Sequence, residues 1–177
     1  YIGPTVPGKI DVNYAITALL SAIMTGSVAL SAAAQGAQVA FGDTVQNSAL
    51  PVEVTADNLD VNQDNGTALF TGNVLIGQGE MRLSAPRVLV IYKDDESGIE
   101  TLQASGGVTL VSGEDAAEAR QADYNIDSGL IEMEGDVLLV QGINALSGDR
   151  MFVDTRAGTA RVSGRVRTIL QPQGDSE

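Results

Sequence analysis

Carboxylates are the reactive side chains that this sequence offers in quantity. The chain of 177 residues carries 23 Asp and Glu against 10 Lys and Arg, and it contains no His and no Cys. Without imidazole or thiol groups it can build neither a Ser-His-Asp triad, nor a cysteine nucleophile, nor an ordinary zinc site. Any chemistry would therefore fall to paired carboxylates, as in glycoside hydrolysis, or to carboxylate loops that bind calcium.

The candidate carboxylate sites do not fit either chemistry. Glu132 and Glu134 share the parity of a solvent-facing strand surface, so they would point to water rather than into a cleft. The stretch "DVNQDNG" begins like a calcium loop at Asp60, but the loop would then need glycine in place of Asn65 and glutamate in place of Thr71. A hairpin turn is the better interpretation. We therefore predict that the protein is not an enzyme and needs no metal and no cofactor.

The acidic balance also excludes a class of partner. The formal net charge is −13 and aromatic residues make up only 4% of the chain. Nucleic-acid binding needs clustered Lys and Arg to displace counterions, and single strands also need aromatic platforms for stacking. We therefore expect no nucleic-acid partner.

The N-terminal part resembles an export signal. Residues 12–42 contain no charge, Lys9 precedes them, and Ala32 and Ala34 form the small-residue pattern of a cleavage site. We predict a leader with a signal peptide over residues 1–40, cleaved after Ala34 or within the next few residues. The alternative is that Ala15–Ala34 is retained as a membrane anchor, since about 20 apolar residues span a bilayer. We further expect a linker over 41–51, one β domain over 52–172 and a disordered tail over 173–177.

The predicted β domain is built from a repeated Gly-x-Val unit. The glycines Gly72, Gly106, Gly135 and Gly164 are separated by 34, 29 and 29 residues, and apolar residues flank each one at intervals of two. Such alternation is typical of strands with one buried face, and a repeat of about 30 residues would hold two or three strands. The pattern predicts about four repeats of antiparallel strands, arranged as a jelly roll or an open barrel.

Glycine on the inward face of a strand suits a bend or a bulge, so we interpret all four as strand-bend glycines. The inward parity then selects twelve apolar residues, which would either fill a packed core or line a slot for an extended apolar ligand. The predicted lining residues are Phe70, Val74, Ile76, Leu102, Val108, Leu110, Ile131, Met133, Val137, Leu139, Val162 and Val166.

Three motifs resemble a known family. The stretches "FTGNV" (70–74), "GDRMFVD" (148–154) and "VRTILQP" (166–172) are similar to the OstA-like domain of the lipopolysaccharide-transport proteins, and in particular to the LptA-type bridge components. The resemblance covers about Val52–Pro172. It implies a folded-over β-jellyroll that is located in the periplasm and holds the acyl chains of lipopolysaccharide in a hydrophobic groove.

The resemblance also implies partners. Protomers would join head to tail, and their end strands would pair with LptC-like inner-membrane and LptD-like outer-membrane partners. Val52–Val61 and Arg165–Leu170 are the candidate edges, and Arg82, Arg87 and Arg150 are candidate neighbours of the lipid phosphates. Two alternatives stay open: a membrane-anchored component of the LptC type, and a structural β-repeat protein with a solid core.

Overall fold

The computed structural model describes residues 37–42, 50–95 and 97–170. The signal peptide or anchor predicted before residue 35 and the tail predicted from residue 173 lie outside these residues. Among the described residues there are eleven strands and no helix that could cross a membrane. The predicted all-β class is confirmed.

The strands form one antiparallel sheet whose order is β1-β10-β9-β8-β7-β6-β5-β4-β2, with β3 also pairing with β4 and β11 also pairing with β9. In chain order they are β1 (Ala37–Ala40), β2 (Glu53–Thr55), β3 (Asn58–Asn62), β4 (Thr67–Gln78), β5 (Met81–Tyr92), β6 (Ile99–Ser112), β7 (Asp115–Asn125), β8 (Leu130–Gln141), β9 (Asn144–Asp154), β10 (Thr159–Ser163) and β11 (Arg167–Ile169).

A line of register shifts crosses the middle of every long strand. The shifts fall between Thr71 and Val74 in β4, between Ser105 and Val108 in β6, and at the matching positions of β8. At each one, two residues of an even-numbered strand lie opposite one residue of a neighbour, which is the pairing of a β-bulge and strengthens the local bend. We call this feature the bulge line.

The bulge line divides the sheet into two layers whose inner faces form one hydrophobic cluster. Layer A consists of β1, β3, β10 and residues 67–71, 87–92, 99–105, 121–125, 130–134 and 150–154. Layer B consists of β2, β11 and residues 74–78, 81–85, 108–112, 115–119, 137–141 and 144–148. The folded-over jellyroll expected from the resemblance is therefore the architecture of this chain. We call the side opposite the bulge line, where the hairpin turns of both layers lie, the mouth.

The backbone at the bulges explains why glycine recurs there. All four Gly-x pairs have two successive positive φ angles, for example 77° and 45° at Gly72 and Asn73. Glycine reaches this region without steric cost, and Asn and Asp reach it more easily than other residues. Arg165 is the exception, with φ of 41°. Its Nη2 donates to Asp149 Oδ1 on β9 at 2.5 Å, which holds it in place.

The sheet begins earlier than the sequence indicates. β1 pairs with β10 from Ala37 to Ala40, whereas the sequence predicts a leader up to residue 40 and a domain that starts at Val52. Phe41 follows β1 and is buried in the core. β1 therefore forms the end strand of layer A beside β10, whereas Val52–Val61 supplies β2 and β3 at the opposite end.

Candidate functional site

The inner faces of the two layers bring together the predicted lining residues. Ten of the twelve are buried and Phe70 packs against them partly buried. Val166 differs, because it lies between the Gly164–Arg165 pair and β11, outside any strand, and it is 39% exposed. Among the described strands β11 pairs with β9 alone and none covers this position, so Val166 does not belong to the lined interior.

The odd-numbered strands supply an equal share of the interior that the Gly-x-Val pattern misses. In these strands the inward parity changes at the bulge line, so that Ala85 and Val88 both face inward although three positions separate them. A prediction based on strict alternation therefore fails beyond the bulge line in these strands. It succeeds in the bulged even-numbered strands, where the inward-facing positions keep the same parity. The missed residues are Met81, Leu83, Ala85, Val88, Val90, Ala117, Ala119, Ala122, Tyr124, Leu146, Met151 and Val153.

The interior is fully apolar away from the mouth and is closed in this structure. Leu110, Ile131, Met133 and Leu139 are each 0% exposed. The buried polar residues in the described ranges are Gln78, Ser112 and Thr155, and each lies at or next to the end of a strand on the mouth side. An apolar ligand could therefore reach the inner faces only when the two layers move apart.

A buried hydrogen bond joins the two layers at the mouth. The hydroxyl of Tyr124, on layer A, donates to Oε1 of Gln78, on layer B, at 2.6 Å. Gln78 Nε2 in turn donates to the carbonyl oxygen of Leu50 at 3.0 Å. Burial raises the pKa of Tyr124, while the hydroxyl of Thr155 and the charge of Arg156 act in the opposite direction. Tyr124 is therefore neutral and able to donate at physiological pH.

The segment after β1 makes a second connection between the layers. The backbone N–H of Phe41 donates to the carbonyl of Gly158, in the turn that joins β9 and β10 of layer A, at 3.0 Å. The N–H of Gly42 donates to Asp115 Oδ2, at the start of β7 in layer B, at 2.8 Å. Gln141 Nε2 donates to both the Ala40 carbonyl and Asp115 Oδ2, at 2.7 and 2.9 Å. These contacts close the β10 end of the mouth with backbone as well as side chains.

The candidate carboxylate sites lie outside the interior. Glu134 is on the outer face of layer A, where its carboxylate accepts from Arg150 Nε at 2.8 Å and from Gln121 Nε2 at 3.0 Å. Asp60 is in β3, and the residues after β3 form the predicted hairpin turn to β4, with Asn65 Oδ1 accepting from the Thr67 hydroxyl at 2.7 Å. Within the described part of the chain, no group of three His, Cys, Asp or Glu residues could hold a metal ion.

The three candidate arginines also lie on outer surfaces. Arg82 and Arg87 are exposed and adjoin the inward-facing Met81, Leu83 and Val88, so their side chains point away from the interior. Arg82 Nη1 donates to the carbonyls of Gly79 and Met81 at 2.6 and 2.8 Å. A charged head group bound by these residues would therefore sit outside the layers, apart from the apolar interior.

Comparison with known proteins gives a consistent result. The model of a family described as "LptA/(LptD N-terminal domain) LPS transport protein" matches residues 53–159. An uncharacterized protein of Rhizobium meliloti (strain 1021) is 30% identical over 134 residues, which is 70% of this chain and 72% of that protein. The lipopolysaccharide export system protein LptA of Escherichia coli (strain K12) is 26% identical over 153 residues, or 81% of this chain and 80% of that protein.

A solved structure supports the fold. The crystal structure of LptH from Pseudomonas aeruginosa, described as the LptA-homologous periplasmic component of the lipopolysaccharide transport device, superposes with a TM-score of 0.63. The match covers 70% of this chain and 96% of that one at 18% identity, so it bears on the architecture alone.

Proposed function

Because the chain belongs to the LptA/LptD N-terminal domain family of lipopolysaccharide-transport proteins, we propose that it is a periplasmic bridge that carries lipopolysaccharide between the two membranes. The acyl chains lie between the inner faces of layers A and B, and protomers join end to end through their edge strands. The observation that carries the proposal is an apolar interior, built from both layers, inside an acidic outer surface.

The physical reason for such an interior is the cost of exposing lipid to water. Each CH₂ removed from water contributes about 0.8 kcal/mol, so bare acyl chains do not cross an aqueous compartment. Away from the mouth, inner faces made of Val, Leu, Ile, Met and Ala offer a matching surface without polar groups that would lose hydration. Because these side chains are buried in the closed form except at the β3 end, the proposal requires that the layers separate when lipid binds.

The ends of the sheet supply the means of assembly. Leu59 and Val61 of β3 pair with Phe70 and Ala68 of the inner face, yet they are 53% and 63% exposed because none of the described strands covers them. Within the described residues, the apolar interior thus reaches the end of the sheet next to an unpaired strand edge. Such edges accept an added strand from a partner, and here the interior of one protomer would continue into the next.

The groove can be tested by crosslinking from neighbouring residues that face opposite ways. A photoreactive amino acid at Ile76, which is 2% exposed and faces inward, should crosslink to lipopolysaccharide in micelles, as should one at Leu139. The matched positions Leu75 and Leu138 are 43% and 37% exposed on the outer face of layer B and should not. Equal crosslinking from both members of each pair, or crosslinking from the outer members alone, would refute the groove.

Two alternatives are decided by separate observations. Complete burial of the interior favours a structural β-repeat protein with a solid core. Such a protein would not crosslink to lipopolysaccharide from any of the four positions. A membrane-anchored component of the LptC type requires that residues 15–34 are retained in the mature protein. Sequencing of the mature N-terminus distinguishes it, since a start near Gln35 excludes the anchor.

A further inference from the structure

The two layers are connected very differently on their two sides. At the bulge line, six long strands run from one layer into the other, so the connection there is covalent. At the mouth, the described residues link the layers through non-covalent contacts, which include the side-chain hydrogen bond between Tyr124 and Gln78 and the contacts around Gly42 at the β10 end. Separation of the layers must therefore hinge at the bulge line and begin at the mouth.

Resting on the function proposed above, we propose that the Tyr124–Gln78 hydrogen bond is a latch that controls opening of the interior to lipid acyl chains. Tyr124 is fully buried near the end of β7, and Gln78 is the last residue of β4, so the bond lies between the two inner faces at the mouth. Both residues reach the mouth edge, where water can replace the bond as soon as the layers part.

The chemistry of the pair suits a reversible latch. A buried hydrogen bond satisfies both groups in the closed form, and water satisfies both in the open form, so the difference in free energy is small. An apolar pair at the same place would favour the closed form more strongly, because opening would expose it to water. Gln78 also donates to the Leu50 carbonyl just before β2, so the latch is connected to the β2 end of layer B as well.

The absence of cysteine allows opening to be measured without lipid. A Leu139→Cys variant carries a single thiol on the closed inner face, and its rate of reaction with a thiol-reactive dye reports how often the layers separate. In this background Tyr124→Phe removes the hydroxyl that donates to Gln78 Oε1 in the closed form. We expect labelling about three- to tenfold faster, the factor that corresponds to one hydrogen bond of ordinary net strength.

The double variant Gln78→Leu/Tyr124→Phe separates the latch from simple loss of stability. It replaces the polar pair with an apolar one, so labelling should return to the original rate or fall below it. If the substitutions acted only by destabilising the fold, the double variant would label faster than Tyr124→Phe. Gln121→Leu is the control, because it removes an exposed hydrogen bond to Glu134 on the outer face of layer A and should not change the rate.

Lipid provides the second measurement. With the photoreactive group at Ile76, Tyr124→Phe should accelerate crosslinking to lipopolysaccharide micelles by a similar factor, and the double variant should not. Unchanged labelling and crosslinking rates in Tyr124→Phe would overturn the latch even if lipid binds normally. Faster labelling without crosslinking in any variant would uphold the latch and instead refute the proposed lipid groove.

Discussion

Two adjacent glycines in the β6 bulge provide a test, within one pair of variants, of why glycine is needed at the bulge line. Gly106 and Gly107 have φ of 95° and 102°, so alanine is strained at either position. Only at Gly106 would the new Cβ also meet a neighbour, since it would lie 2.6 Å from Cγ of Pro86, whereas nothing lies within 4 Å at Gly107. The Pro86 ring cannot rotate away, so the contact must be relieved by movement of β5 or β6.

The expected magnitudes follow from these two terms. A positive φ costs an L-residue about 1–2 kcal/mol, which applies to both variants. Overpacking costs about 1–3 kcal/mol more, which applies to Gly106→Ala alone. The entropy that alanine removes from the unfolded chain, about 0.4–1 kcal/mol, is common to both and cancels in the comparison. We therefore expect Gly106→Ala to be less stable than Gly107→Ala by about 1–3 kcal/mol.

Urea unfolding followed by far-ultraviolet circular dichroism measures this difference, since the chain has no tryptophan to report by fluorescence. In a Pro86→Ala background the difference should become small, because alanine has no Cγ for the new methyl group to meet. Equal stability of the two glycine variants, or a difference that survives Pro86→Ala, would show that Pro86 does not set the tolerance at this bulge.

Two further predictions concern the outer surface and the sheet end. Asp123 lies directly opposite Glu132, and burial together with the nearby charge of Glu134 raises its pKa, although the Gln103 side chain opposes this. Because the pKa of Asp123 is higher in the folded than in the unfolded protein, ionised Asp123 destabilises the fold. Asp123→Asn should therefore raise stability near pH 7 and lose that advantage near pH 3, where Asp123 is protonated in both the folded and the unfolded protein. Urea midpoints at the two pH values check this, and equal midpoints near pH 7 would contradict it. Val61→Lys at the open β3 end should reduce concentration-dependent oligomers in sedimentation velocity, whereas Leu130→Lys, a similarly exposed change in the middle of the sheet, should leave them unchanged; equal effects would argue against assembly through this end.

The alternation of apolar and polar residues in the sequence determined the strands in which every second residue faces inward along the whole strand. In β4, β6 and β8 the residues two and four positions from each glycine face inward, because a two-residue bulge preserves the period of two. The absence of His and Cys and the net charge of −13 likewise limit the possible chemistry through composition alone. The all-β class and the folded-over architecture follow from these patterns together with the three motifs that resemble the family.

Tertiary structure alone decided the features that depend on a partner strand. The odd-numbered strands change their inward parity at the bulge line because their neighbours, not their own residues, contribute the extra residue. β1 joins the sheet because the edge of β10 that faces away from β9 is available to it, and Val166 is exposed because no described strand pairs with β11 on the side away from β9. Tyr124 and Gln78 meet although 46 residues separate them, since folding at the bulge line brings the two layers face to face. Sequence periodicity describes one strand at a time, and each of these features arises from the packing of one strand, or one layer, against another.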